Sequence, residues 1–295
     1  MPDTNLLEKL CLVGDHVAGD PSHFMIEHAL GAMGVDWRFL SFQPPADRLG
    51  EALTGLDALG FRGVRLRGAM QDAAAAGDDG SWKLTERAGR TGRATHLTRH
   101  EGVLQADDAA GPAVIEAIAA AVGEAGDPAG KRVLVLGAGG VARSVADVLV
   151  ERGAGRIAVA DRSAEHAAAL VLATQQRTAS VDANVAVNAV AWEPGWFEAP
   201  DGVDWIISTA EWPKEDNEQV AASVAPEMPT SALAIDLGVG STRAPMLLRL
   251  ADRGLATLDG LAVLVAETAL ALEAWTDQAV DRGVLRDAAE EFLGL

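Results

Sequence analysis

The chain has 295 residues, 49% of them hydrophobic, with 43 acidic against 24 basic side chains and a formal net charge of −19. A surface of that sign repels phosphate backbones and anionic lipid, so neither nucleic acid nor a membrane is an expected partner. The length suits two domains or one large one, with core enough to need no disulfide.

The first apolar run, Leu10–Val13, predicts a buried strand and holds the single cysteine, Cys11, as packing rather than chemistry. Met1-Pro2-Asp3-Thr4 is not a basic-then-apolar signal, and no run of about 18 apolar residues occurs, so the expected location is the cytoplasm. Met25, Ala29, Ala32 and Met33 recur at helical spacing behind two capping candidates, Asp20 and Ser22. Strands are predicted at Trp37–Phe42 and Gly63–Leu66. Arg65 and Arg67, two apart on the second of these, share one face; the pair suits an anionic ligand or neutralises nearby acids. Asp78-Asp79 reads as a solvated loop and Lys83 as surface. His96 and His100 are four apart in a segment that reads as a hairpin, so no metal is expected there; His96 is a candidate acid/base. Gly126-Asp127-Pro128-Ala129-Gly130 breaks the chain into two parts.

The strongest motif follows the break. Arg132–Leu136 is a parallel-type strand running directly into Gly137-Ala-Gly139-Gly140-Val141-Ala142 and an amphipathic helix carrying Val145, Val148 and Leu149. Gly137 permits the tight turn, Gly139 lets a pyrophosphate approach the backbone, and Ala142 lets helix and strand pack closely. The helix N-terminus supplies free N–H groups for phosphate. The next strand, Ile157–Ala160, ends in Asp161, 21 residues beyond Gly140, where a ribose-binding acid belongs. Asp161 favours NAD; Arg162 beside it suits stacking on adenine or reaching a 2′-phosphate, so NADP stays open. Further strands are predicted at Val203–Ser208, with Trp205 as core, and Ala232–Asp236, separated from the earlier ones by a turn-rich Trp192–Gly202. Alternating strands and helices make this an α/β chain.

Nearly end to end, the chain resembles the shikimate/quinate dehydrogenase family. The resemblance rests on Met33-Gly34-Val35-Asp36-Trp37, Ala58-Leu59-Gly60-Phe61-Arg62-Gly63, the Gly137–Ala142 turn, Asp236, Pro245-Met246-Leu247, Arg253-Gly254, and Asp259-Gly260-Leu261 through Trp275. It implies an N-terminal α/β substrate domain (1–112 with 259–295) and a Rossmann-type dinucleotide-binding domain with a parallel sheet (113–258). It also implies that Gly137, Gly139, Gly140, Val141, Asp161, Arg162, Thr209 and Ala210 meet the cofactor, and that Trp212 lies near its nicotinamide end or packs on the surface.

The substrate positions depart from the family's pattern. The two serines that hold the substrate carboxylate fall on Asp20 and Ser22, with His23 at the following proline. The Asn-Val-Thr strand falls on Arg65-Leu66-Arg67, the catalytic lysine on Gln71, an Asn-Thr pair on Thr95-His96, and the Asn-Thr-Asp motif on Ala106-Asp107-Asp108. The tyrosine falls on Val239 and a late glutamine on Glu267. The resemblance therefore gives Asp108, Gln71 and His96 as catalytic candidates and Asp20, Ser22, Arg67, Thr95 and Glu267 as substrate-binding ones. Gln71 has no titrating group and cannot replace a lysine as proton carrier; the chain holds only four lysines, Lys9, Lys83, Lys131 and Lys214.

The expected function is an NAD(P)-dependent oxidoreductase, monomeric or homodimeric, acting on shikimate, quinate or a related small hydroxy or keto acid. The alternatives are a non-catalytic nucleotide- or metabolite-binding homologue, or a reductase of a different anionic substrate.

Overall fold

The computed structural model describes residues 7–77, 80–193, 196–197, 200–210, 212–239 and 244–295; Asp78-Asp79 and Met1–Thr4 lie outside them. The fold is mixed α/β and divides into two compact units, Met1–Ala110 with Val265–Leu295, and Gly111–Leu264.

The first unit runs β1 (Lys9–Gly14), α1 (Ser22–Ala32), β2 (Arg38–Phe42), α2 (Leu49–Ala58), β3 (Gly63–Arg67), α3 (Met70–Ala76), β4 (Trp82–Leu84), α4 (Glu86–Thr91), β5 (His96–His100) and β6 (Val103–Asp107). Among the described residues its sheet has the order β2-β1-β3-β5-β6-β4. β1 pairs in parallel with β2 and β3, whereas β3–β5 and β5–β6 are antiparallel. The His96–His100 segment is thus one arm of a hairpin, as its glycine-bearing Glu101-Gly102 turn suggested.

β1 lies between two strands, and Leu10, Cys11, Leu12 and Val13 are completely buried. Burial raises the Cys11 thiol pKa far above its ordinary value, so the thiol stays protonated and packs as an apolar group. α1 differs in detail from its sequence pattern. Its inward face is Ser22, Met25, Ile26, Ala29 and Leu30, while Ala32 faces out. Ser22 lies inside the helix and makes no cap; Asp20 reaches forward instead, accepting the Ser22 N–H at 2.8 Å.

The second unit begins within α5 (Ala110–Val122) and continues through β7 (Arg132–Leu136), α6 (Gly140–Glu151), β8 (Arg156–Ala160), α7 (Ala164–Ser180), β9 (Ala186–Ala189), a short hairpin of β10 (Trp192–Glu193) and β11 (Trp196–Phe197), β12 (Trp205–Ser208), α8 (Lys214–Val224), β13 (Leu233–Asp236), α9 (Pro245–Ala251) and β14 (Ala256–Leu258). The sheet order β14-β13-β12-β7-β8-β9 is parallel throughout. Numbered from β7, that is the 3-2-1-4-5-6 order of a dinucleotide-binding fold. Parallel strands covered on both faces read as unbroken apolar runs, which is why Val133-Leu134-Val135-Leu136 is buried without alternation.

α10 (Gly260–Thr276) and α11 (Arg282–Leu293) carry the chain back into the first unit. Trp275 on α10 is fully buried, and its indole N–H donates to the Leu97 carbonyl at 2.9 Å. Gly63 makes room for it: a Cβ there would run into the Trp275 ring.

Candidate functional site

In the first unit, β3 delivers the two arginines and neighbouring elements supply their partners. Arg65 is completely buried; its Nη2 donates to Glu267 Oε1 at 3.2 Å and its Nη1 to the Glu267 carbonyl at 3.4 Å. Burial opposes ionisation of Glu267, yet the guanidiniums of Arg65, Arg67 and Arg93 outweigh it and hold the carboxyl below the usual range. Arg67 is partly open, at 28% side-chain exposure, and its Nε donates to Asp20 Oδ2 at 2.7 Å. Burial likewise works against the Asp20 carboxylate, but Arg67, hydrogen bonding from Ser22 and Arg65 prevail, so its pKa is lowered. Each arginine thus neutralises an acid, and Arg67 remains partly open.

Ser22 is buried, and among the described residues its hydroxyl has no hydrogen-bond partner. Gln71, at the start of α3, is buried with both amide ends in use: Nε2 donates to the Leu66 carbonyl at 2.9 Å and Oε1 accepts from Arg93. Thr95 Oγ1 accepts the Ala109 N–H at 2.9 Å and so holds the turn that carries Asp108. Asp108 is fully buried, with Oδ1 accepting the Ala110 N–H at 3.1 Å. His96 is buried beside Thr95 Oγ1 (3.2 Å) and edge-on to Trp275. Burial, with Arg65 adding to it, lowers its pKa from 6.5 to about 4 against the pull of Asp107 and Glu267. Near neutral pH His96 is therefore an uncharged hydrogen-bonding group and a weak base. Lys83 lies exposed on β4.

The second unit presents the glycine turn between β7 and α6. Gly137 has φ +103°, which L side chains rarely adopt, and a Cβ there would sit 2.5 Å from Thr209 Oγ1. Thr209 Oγ1 donates to the Leu136 carbonyl at 2.9 Å, closing the end of β12 onto β7. Among the described residues a Cβ on Gly139 would meet nothing within 4 Å, which leaves room for a ligand against the backbone there. Gly139 is also the N-cap of α6, and none of the described side chains caps that end. Ala142 is fully buried, as close helix–strand packing requires. Asp161 takes the Ala138 N–H at 2.9 Å and the Ser163 N–H at 2.8 Å, which fixes its carboxylate across the turn. Gly137, Gly139, Gly140, Val141, Asp161, Thr209 and Ala210 converge at the carboxyl ends of β7, β8 and β12. These residues fit the pyrophosphate and ribose of a dinucleotide: the space, the open helix end and the acid are all in place.

Three residues of these sites escaped the sequence reading. Arg93 engages Gln71 and lies 3.7 Å from Asp72. Trp192 packs 4.6 Å from Trp212 and under Arg162. Asp216, in the first turn of α8, holds Arg162. An acid in a helix's first turn is a common sequence feature, so nothing in Lys214-Glu215-Asp216-Asn217 singled it out.

The family model described as shikimate/quinate 5-dehydrogenase matches residues 119–191, the stretch that spans the glycine turn and Asp161. A shikimate dehydrogenase (NADP(+)) of Methylobacterium radiotolerans is 29% identical over 266 residues, covering 90% of this chain and 89% of its own. One from Geobacter metallireducens is 27% identical over 287 residues, covering 97% of each. Among solved structures, shikimate 5-dehydrogenase of Thermus thermophilus in complex with NADP(H) and shikimate superposes with a TM-score of 0.79 at 27% identity, over 97% of this chain and all of that one. A 5-ketofructose reductase of a Gluconobacter species shares the fold at TM-score 0.83 and 24% identity, over 97% of this chain and 99% of that one. The relatives align with the chain almost end to end and the family model covers its glycine turn, so the chain is similar to the shikimate/quinate dehydrogenases over nearly its whole length.

Proposed function

We propose that the chain is an NAD(P)-dependent oxidoreductase that interconverts a hydroxyl and a carbonyl on shikimate, quinate or a related small hydroxy or keto acid. The observation that carries this is the cradle around Gly137 and Gly139: it is kept open where a dinucleotide needs it. The bound nicotinamide supplies the hydride donor or acceptor. The dinucleotide is held by the glycine turn and by Asp161.

The substrate falls to the first unit's polar cluster. Arg67, fixed at Nε by Asp20, offers its outer guanidinium nitrogens to a carboxylate. The unpartnered Ser22 hydroxyl is a second donor. Asp108 is the group proposed to take and return the hydroxyl proton. Gln71, tied at both ends, orients Arg93 and moves no proton. The free buried Cys11 suits a reducing compartment such as the cytoplasm.

One observation favours a second reading, a homologue that binds dinucleotide without turnover: the titrating lysine is replaced by a locked amide. A single experiment separates the two. Reduced nicotinamide is followed by absorbance with shikimate and quinate, each offered with NAD and with NADP, and the folded state of the sample is checked by circular dichroism. Turnover that falls at least about 100-fold in Asp108→Asn supports the enzyme and the role of Asp108. Dinucleotide binding with no turnover on any pair sinks the hydroxy-acid reading in favour of the binding one.

A further inference from the structure

We propose that Asp216 is a positioning residue for nucleotide choice: by holding Arg162 it withdraws the cation that a 2′-phosphate needs and leaves Asp161 to select NAD. This rests on the reading that the second unit binds a dinucleotide.

Arg162 directly follows the acid at the end of β8 and is the one residue of that turn with a full positive charge; residues 161–170 hold no lysine and no second arginine. Left free, it would be the natural partner of a 2′-phosphate. It is not free. Its Nε donates to Asp216 Oδ2 at 3.0 Å and its Nη2 to Asp216 Oδ1, the parallel two-bond arrangement in which a guanidinium and a carboxylate match best. The guanidinium carbon also lies 5.4 Å from the centre of the Trp192 ring, which packs in turn on Trp212 and Phe197. The arginine is thus pinned along one edge and across one face.

Asp216 suits this task. Its side chain is only 8% exposed, against 30% for Arg162, and it stands in the first turn of α8, where the helix's positive end favours a carboxylate. Pulling Arg162 toward a phosphate would strand that buried carboxylate without its partner, which is the costly way to break an ion pair. Asp161, meanwhile, is held by the Ala138 and Ser163 N–H groups in front of the same turn. Fixed there, it accepts from ribose hydroxyls and repels a phosphate. The clamp and the acid act in one direction, and that direction departs from the relatives above, whose names carry NADP(+).

The test is direct binding, so it does not depend on finding the substrate. NADH and NADPH are titrated into the whole protein by calorimetry, for the wild type, Asp216→Asn and Arg162→Met. The wild type should bind NADH at least about tenfold more tightly than NADPH. Asp216→Asn, which keeps the shape and removes the charge, should tighten NADPH by about tenfold and change NADH by less than about threefold. Arg162→Met should leave NADPH binding within about threefold of wild type, because the arginine is already committed to Asp216. Wild-type binding of NADPH as tight as that of NADH overturns the proposal. So does an unchanged ratio in Asp216→Asn, or a large loss of NADPH binding in Arg162→Met. If Asp216→Asn does not fold, the wild-type ratio and Arg162→Met still decide. Failure of the folded wild type to bind either nucleotide is a different result: it overturns the dinucleotide reading itself and the proposal with it.

Discussion

Burying a charge costs several kcal/mol unless a partner compensates it, and the first unit meets that demand in two ways. Arg65 and Arg67 take Glu267 and Asp20 as partners, whereas His96 gives up its charge. The two devices leave different marks on stability. The folded pKa of His96 lies near 4 and its ordinary value at 6.5. Between those values the unfolded chain binds a proton that the folded one does not, so stability is complete above about pH 6.5 and declines as pH falls toward 4. The full loss is about 3 kcal/mol. Asp20 and Glu267 also have lowered values, but their contribution is present above the usual carboxylate range and disappears only as pH falls through and below it. His96→Gln should therefore flatten urea-unfolding stability between pH 6.5 and 4 and leave the steeper loss below pH 4 in place; a wild-type profile already flat over that window would refute the neutral buried histidine. The four charged residues were all visible in the sequence as departures from the family's polar positions. The pairing of Arg65 with Glu267 was not, because the two are 202 residues apart and only the fold brings them together.

The β7–turn–α6 element shows how far a local pattern can specify structure. An unbroken apolar strand, three glycines at fixed offsets and an amphipathic helix all point to the same answer, and the register, the turn and the buried Ala142 follow. The short strands β4 and β14, three residues each, carry no such agreement. Each is set by the strand beside it, β6 and β13 respectively, rather than by its own periodicity, so neither was legible in advance. Gly137→Ala tests the turn. The added methyl group meets Thr209 Oγ1 at 2.5 Å on a backbone at φ +103°, and a strained non-glycine residue of this kind costs about 1–3 kcal/mol. The turn must shift to relieve it, moving the N–H groups proposed to meet the phosphates. NADH affinity should fall at least about tenfold while β7 and α6 persist by circular dichroism. Unchanged affinity would mean that the turn does not hold the pyrophosphate.

At the scale of the molecule, the chain leaves its first unit at Ala110 and re-enters it at Val265, so that unit is complete only when the last 31 residues have folded onto it. Trp275 is the anchor of that return. It is fully buried, donates to the Leu97 carbonyl, receives the Arg62 Nε–H on its own carbonyl at 3.1 Å, and fills the space Gly63 leaves open. Glu267, about two turns earlier, ties the same α10 to Arg65 on β3. Removing the indole opens a cavity and leaves the Leu97 carbonyl without that bond, a change of about 3–5 kcal/mol by the usual cost of truncating a buried aromatic. That cost falls on the unit whose sheet contains β3 and β5, whereas the second unit is one continuous segment with its own core of Leu134, Ile206, Ala234 and their neighbours. Trp275→Ala should therefore turn denaturant unfolding into two separated transitions, with the first unit lost early. NADH binding should persist through the first transition and vanish only with the second. A single cooperative transition in which binding and secondary structure disappear together would show instead that the second unit cannot hold its fold without the first.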